Sequence, residues 1–267
     1  MIGLQLFARR RFLEPEMESW QLDAWKSLLT HFGGVERLER SPLVVATRAF
    51  FPPTEATGHE RARHVFNCVK TQAGMTDWPC NLLAQPGGPE AQVGEFAILR
   101  FTEGKTPLGT FAVDDDVPTI TYDPASIDSP AVLVATLIHE LAHYRLLPVR
   151  HRVPGGEEMH EFATDLMTAF LGFGLFGANQ AFTFSQHGDS ISKGWQWSRK
   201  GYLRERDWAF ALAVFLDLRG QSPETLKGLL KPHLYADLKT AARYLVRNPS
   251  LLEEHRLIMA QTPGTSN

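Results

Sequence analysis

One apolar stretch, residues 129–148, constrains the fold of this chain more than any other. It reads SPAVLVATLIHELAHYRLLP. Ser129 and Pro130 begin a helix, since serine caps helix N-termini and proline is tolerated at the first helical position. Pro148 ends the helix, because proline disfavours a helical conformation in the residue before it. Apolar side chains fall on most sides of the predicted helix, 130–147, so we expect it to be buried.

Three polar residues interrupt this apolar helix: His139, Glu140 and His143. If they are buried, their desolvation must be compensated. Residues four apart lie about 6 Å from each other on one helix face, so the two imidazoles can converge on one ion, each nitrogen roughly 2.0–2.1 Å from zinc. Glu140 is rotated by about 100° and can instead reach a water on the metal. The spacing therefore predicts two metal ligands and a general base.

HExxH arises by chance roughly 0.025 times in a chain of this composition, so the motif alone does not distinguish a metal site from a buried helix whose histidines hydrogen-bond to neighbours. A third ligand would distinguish the two. Glu161 and Asp165 are four residues apart on a predicted helix, 157–173, and share its face. Seventeen residues separate His143 from Glu161, enough for a turn and an antiparallel return. Asp165 can then accept the spare N–H of a ligating histidine. The rival third ligands are Glu157, Glu158 and His160.

HELAH followed by EFATD resembles the gluzincin pattern of zinc metallopeptidases, with HExxH on one helix and ExxxD on the next. The resemblance implies that His139, His143 and Glu161 bind zinc. It also implies that Glu140 is the general base and that Asp165 orients a ligand. The segment TITYDP before the helix is similar to a strand of compact minigluzincin cores, where an edge strand aligns an extended peptide.

The resemblance also implies the reaction, hydrolysis of a peptide bond by a water that zinc makes more acidic. Glu140 would take the proton of that water and deliver it to the leaving amine. Enzymes of this type add a side chain that stabilises the oxyanion. The candidates are His187, Tyr202 and Arg204, although an ordinary surface or capping role is favoured for each. The segment 185–208 is either a loop over the site or a plain connector.

The rest of the chain predicts an α+β fold, with a small, mainly antiparallel sheet packed on a mostly helical, zincin-like core. β-Branched and aromatic residues between turn-forming residues predict strands at 43–47, 94–101, 108–113 and 118–122. Apolar residues at helical spacing predict helices at 16–32, 54–73, 130–147, 157–173, 203–219, 223–230, 234–247 and 249–260. The three carboxylates at 114–116 are interpreted as a solvated turn rather than a metal site.

The predicted domain boundary lies near residue 90, although no linker marks it. Residues 1–90 would form an N-terminal α/β region of unknown role packed on the core. Residues 91–260 would form a zincin-like metallopeptidase domain, and 261–267 a flexible tail. The family resemblance covers about residues 108–175 and says nothing specific about the N-terminal region.

The charge of the chain bears on its partners, and its cysteines and N-terminal segment bear on its compartment. The net charge is −3 and the pI about 6.4, which gives no drive toward nucleic acid or membrane. The family resemblance implies a peptide or protein substrate. Cys68 and Cys80 form no CxxC pair and are interpreted as ordinary thiols of a reduced compartment. The segment ARRRFLE resembles part of a twin-arginine signal, but charged residues follow it where apolar ones are required. The sequence therefore predicts a cytoplasmic protein.

Together these observations predict a zinc-dependent metallopeptidase with Zn²⁺ as its cofactor. The alternative is a protein that binds zinc but is catalytically silent, a structural or protein-interaction module. A change to such a role often removes the general base. Glu140 is present, which favours catalysis.

Overall fold

The computed structural model describes residues 11–85, 108–114, 117–187 and 202–260, and it shows a mostly helical α+β protein with one small sheet. The helices are α1 (Pro15–His31), α2 (Gly34–Arg40), α3 (Gly58–Gln72), α4 (Pro130–Leu146), α5 (His160–Phe170), α6 (Gly174–His187), α7 (Glu205–Leu218), α8 (Pro232–Arg247) and α9 (Glu253–Ala260). The strands are β1 (Asn81–Ala84), β2 (Gly109–Asp114) and β3 (Val117–Tyr122). Turns of 3₁₀ helix lie at Pro124–Asp128, Leu147–Arg152, Gly156–Met159, Pro223–Leu226 and Pro249–Leu252.

The sheet is mixed rather than mainly antiparallel, which corrects the prediction. β3 lies in its centre, parallel to β1, with Asn81 beside Thr119, and antiparallel to β2, with Gly109 beside Tyr122. β1 is missing from the predicted strands because it has only four residues and is flanked by proline and glycine. The strand predicted at 94–101 lies outside the described residues.

The strand predicted at 43–47 is wrong. Val44 is fully buried, but its backbone N–H donates to the carbonyl of Gly172, 2.9 Å away, instead of to a strand. Gly172 has φ of 90°, and a Cβ there would meet the carbonyl oxygen of Pro42. The apolar residues of this segment therefore pack as irregular chain against the turn after α5, at a position that only glycine allows.

The helices follow the predictions more closely. α1, α3, α4, α5, α7 and α8 begin and end within four residues of the predicted bounds. The predicted helix 223–230 is only a 3₁₀ turn at its start, and the helix predicted at 249–260 is a 3₁₀ turn followed by α9. α2 and α6 are not predicted. Gly174 and Gly177 weaken the pattern of α6, yet their missing side chains admit Leu212 and Trp208 of α7.

α4 lies at the centre of the protein, against α3, α5, α6 and both β2 and β3. One buried cluster joins residues from either side of the predicted boundary, such as Trp25 of α1 and Phe170 of α5; the boundary itself stays a prediction. Within the described residues, one segment has the length and hydropathy to cross a membrane, Pro130–Arg152, and 67% of its apolar window is buried inside the protein. The apolar surface of α4 therefore belongs to the core.

Candidate metal centre

The loop between α4 and α5 brings His139, His143 and Glu161 together. One ligand atom from each lies within 4.8 Å of the others, and among the described residues this is the group that could hold a metal ion. The two Nε2 atoms are 3.1 Å apart. Oε2 of Glu161 is 3.3 Å from Nε2 of His139 and 3.6 Å from Nε2 of His143. Both histidines are 4% exposed.

The turn between the two helices is shaped by its own sequence and held by α1. Pro148 lies in the 3₁₀ turn that follows α4, and Gly155 has φ of 85°. A Cβ at Gly155 would meet the side chain of Met159, so the turn depends on glycine there. The indole of Trp20 in α1 donates to the carbonyl of Pro154 at 2.8 Å and packs edge-on against Phe162. The N-terminal helix thus positions the residue next to Glu161.

Asp165 fixes the protonation of His139. Its Oδ1 lies 3.1 Å from Nδ1 of His139, and its Oδ2 accepts the backbone N–H of Leu203 at 2.8 Å. Burial disfavours the charged imidazole, but hydrogen bonds with Asp165 and Glu161 raise the pKa of His139 to about 10. Burial also raises the pKa of Asp165, against the hydrogen bond from His139. Nδ1 of His139 therefore carries a proton and leaves Nε2 to face the other ligands.

His143 is also protonated at Nδ1, but through neutral partners. The hydroxyl of Thr164 donates its one proton to the carbonyl of His160 at 2.9 Å. The hydroxyl oxygen, 3.1 Å from Nδ1 of His143, must therefore accept from it. Nε2 of His160 lies 3.0 Å from the same Nδ1 atom. In the neutral imidazole, Nε2 of His143 then keeps its lone pair, and it lies 3.1 Å from Nε2 of His139.

The donor set fits a metal ion. Two nitrogens about 2.0–2.1 Å from a tetrahedral ion are roughly 3.3 Å apart, close to the 3.1 Å between the two Nε2 atoms. Two lone pairs and a carboxylate at this spacing repel one another unless a cation lies between them. In the metal-free protein, a second proton on His139 takes the place of that cation, in line with the raised pKa of its imidazole. A metal ion would use all three groups.

Glu140 lies outside this ligand group, on the side of α4 that faces the sheet. It is 4% exposed. β2 runs close against it, because a Cβ on Gly109 would lie 3.2 Å from Cγ of Glu140 and 2.5 Å from Cγ2 of Thr136. A buried carboxylate next to His139 in the chain is suited to accept and return a proton.

The three candidates for the oxyanion donor are placed differently. The Tyr202 ring centroid is 5.2 Å from that of His139, and the two residues line one small pocket with Asp165. Arg204 instead pairs with Asp207 of α7, with Nε 2.9 Å from Oδ2, in a capping arrangement. The side chain of His187 lies outside the described residues, as do residues 188–201 of the predicted loop.

The rival third ligands lie away from the two Nε2 atoms. Glu157 and Glu158 are exposed, and Glu157 is 3.6 Å from Arg150. His160 contacts the Nδ1 edge of His143, on the far side of the ring from Nε2. Of the three carboxylates at 114–116, the second and third lie outside the described residues. Cys68 and Cys80 are free thiols.

Two residues of this site, Thr164 and Gly109, are not predicted from the sequence. Thr164 lies four residues after His160, so helical spacing alone places its hydroxyl by that carbonyl. That signal does not reveal the contact with His143, which depends on how α4 and α5 pack. Gly109 carries no signal beyond being a glycine at the edge of a strand.

Comparisons of the chain with models of protein families, with curated proteins and with solved structures give no match. The resemblance to gluzincins therefore rests on the residues themselves and stays a prediction.

Proposed function

We propose that this protein is a zinc-dependent metallopeptidase of gluzincin type, with His139, His143 and Glu161 as the metal ligands. The observation that carries the proposal is the pair of Nε2 atoms that lie 3.1 Å apart beside the Glu161 carboxylate. Three protein ligands leave a fourth position open, as catalytic zinc requires, whereas structural zinc sites are usually closed by four.

Glu140, which follows His139 in the chain, favours zinc over other metals. Two imidazoles and one carboxylate also suit iron, copper and nickel. Glu140, however, supplies a buried base directly beside the first ligand, which hydrolysis uses and redox chemistry does not require. The donor set and the base together support a hydrolase.

The residues divide the work of peptide hydrolysis. When bound, zinc would supply the Lewis acidity that makes a water molecule more acidic and polarises the scissile carbonyl. The carboxylate of Glu140 takes the proton from water and returns it to the nitrogen of the leaving amine. Asp165 keeps the imidazole of His139 in one orientation. Tyr202, the candidate donor beside His139, is the residue we assign to the oxyanion.

The proposal is tested by metal analysis together with peptide cleavage. Wild-type protein and Glu140→Gln should each hold about one zinc per chain, because Glu140 is not a ligand. Cleavage of a peptide library should fall by roughly 10²–10⁴-fold in the variant. Zinc without cleavage by the wild type would favour the catalytically silent module. No zinc in the wild type, with His143→Ala folding normally, would contradict both functions.

A further inference from the structure

We propose that Thr164 and His160 together orient His143, so that the two ligand histidines are held by chemically different partners. The inference rests on the proposed metal site and concerns two residues that are not ligands in it. Thr164 is fully buried and His160 half-buried, both at the start of α5. Neither touches the Nε2 atom of His143, so both are positioning residues.

The hydroxyl of Thr164 has one proton to donate. The carbonyl of His160 can only accept, and it lies 2.9 Å from Oγ1 of Thr164. The hydroxyl proton is used there, and the oxygen has only lone pairs left for Nδ1 of His143 at 3.1 Å. The proton of His143 is thereby held on Nδ1, and the lone pair needed by a metal stays on Nε2.

The ring of His160 is the second hydrogen-bond partner of His143. Its Nε2 lies 3.0 Å from Nδ1 of His143, and the ring centroids are 5.0 Å apart. Because Nδ1 of His143 carries the proton, Nε2 of His160 is the acceptor. His160 thus contributes its carbonyl to Thr164 and its ring to His143. The hydrogen bonds join three residues in a closed loop that leaves the His143 ring little freedom to rotate.

The two ligands are therefore held unequally. His139 donates to the carboxylate of Asp165, while His143 donates to a hydroxyl and an imidazole, both neutral. Hydrogen bonds to a charged acceptor are roughly twice as strong as neutral ones. At His143, two neutral acceptors share one N–H, in place of the single charged acceptor at His139. Removal of either should weaken metal binding moderately, and removal of both should weaken it more.

The test measures zinc affinity by competition with a chelator, in Thr164→Val, His160→Phe and the double variant. Loss of such an orienting partner typically weakens metal affinity by about 10–100-fold. We expect about tenfold for each single variant and up to about 100-fold for the double variant. Thr164→Ser and His160→Gln keep an acceptor and should recover most of the affinity. The visible spectrum of Co(II)-substituted protein should change in the valine and phenylalanine variants and return in the rescue variants.

Thr168→Val is the matched control. Its hydroxyl donates to the carbonyl of Thr164 at 3.1 Å, one turn further along α5, and it is equally buried. Thr168→Val should lose similar stability and keep wild-type zinc affinity. Equal affinity and an unchanged cobalt spectrum in Thr164→Val, His160→Phe and Thr168→Val would overturn the inference while leaving the zinc site intact. A wild-type protein without zinc would refute the proposed function instead. If Thr164→Val does not fold, the half-buried His160→Phe decides alone.

Discussion

The carboxylate of Asp165 lies 3.1 Å from Nδ1 of His139, and its second oxygen accepts the backbone N–H of Leu203 at 2.8 Å. One buried side chain therefore joins the candidate metal centre on α4 to the chain that leads into α7. An asparagine has only one acceptor oxygen, so it must turn its NH₂ group toward one of two donors.

Asp165→Asn should consequently weaken zinc binding by about 10–100-fold and lower the free energy of unfolding by about 1–3 kcal/mol. Asp207→Asn is the control, since Asp207 is also buried and accepts a backbone N–H, from Arg204 at 3.1 Å, but touches no ligand. Chelator competition and urea unfolding measure the two quantities. Equal zinc affinity in the two variants would contradict the orienting role of Asp165.

Glu161 supplies the negative charge of the ligand group. Glu161→Gln keeps the size of the side chain but removes the anionic oxygen that lies 3.3 Å from His139. We expect bound zinc to fall below stoichiometry after dialysis, because only two strong ligands remain. Glu157→Gln, an exposed position on the preceding turn, should keep full zinc content. Similar zinc loss in both variants would mean that overall charge, rather than coordination, holds the metal.

The sequence predicts which residues share a face on each helix, because that relation is local. His139 and His143 share a face through helical spacing, and Glu161 and Asp165 do so on the next helix. The structure places all four close together, and their roles at a metal stay a prediction. Helix spacing survives folding, so these residues can be found before the structure is known.

The parts that sequence reasoning misses depend on packing between distant segments. β1 has four residues and gains its partners from β3, some 38 residues later. Residues 43–47 have the composition of a strand, yet they meet Gly172 rather than a strand edge. The contact between Thr164 and His143 likewise exists only after α4 and α5 have packed together. No periodic pattern in the sequence predicts these contacts between distant segments.

Gly109 allows β2 to approach α4. A Cβ there would lie 2.5 Å from Cγ2 of Thr136 and 2.9 Å from the carbonyl oxygen of Thr121. Gly109→Ala should lower the free energy of unfolding by about 1–3 kcal/mol through overpacking. Thr136→Ser removes the clashing methyl, so the double variant should lose less than the sum of the single variants. Additive losses in the free energy of unfolding, measured in urea, would contradict close packing of Gly109 in β2 against Thr136 in α4.

We expect His255 to make the free energy of unfolding depend on pH, at a site far along the chain from the candidate metal ligands. It is 1% exposed, and its Nε2 lies 2.8 Å from the carbonyl oxygen of Leu22. Burial lowers the pKa of His255, although the hydrogen bond to Leu22 opposes the shift. The unfolded chain therefore binds the proton first, and stability is lost as pH falls from about 6.5 through the folded pKa. The slope from one proton is at most about 1.4 kcal/mol per pH unit. Urea unfolding in excess chelator should show a shallower decline for His255→Gln than for the wild type. A His255→Gln profile identical to that of the wild type would refute a buried, neutral His255.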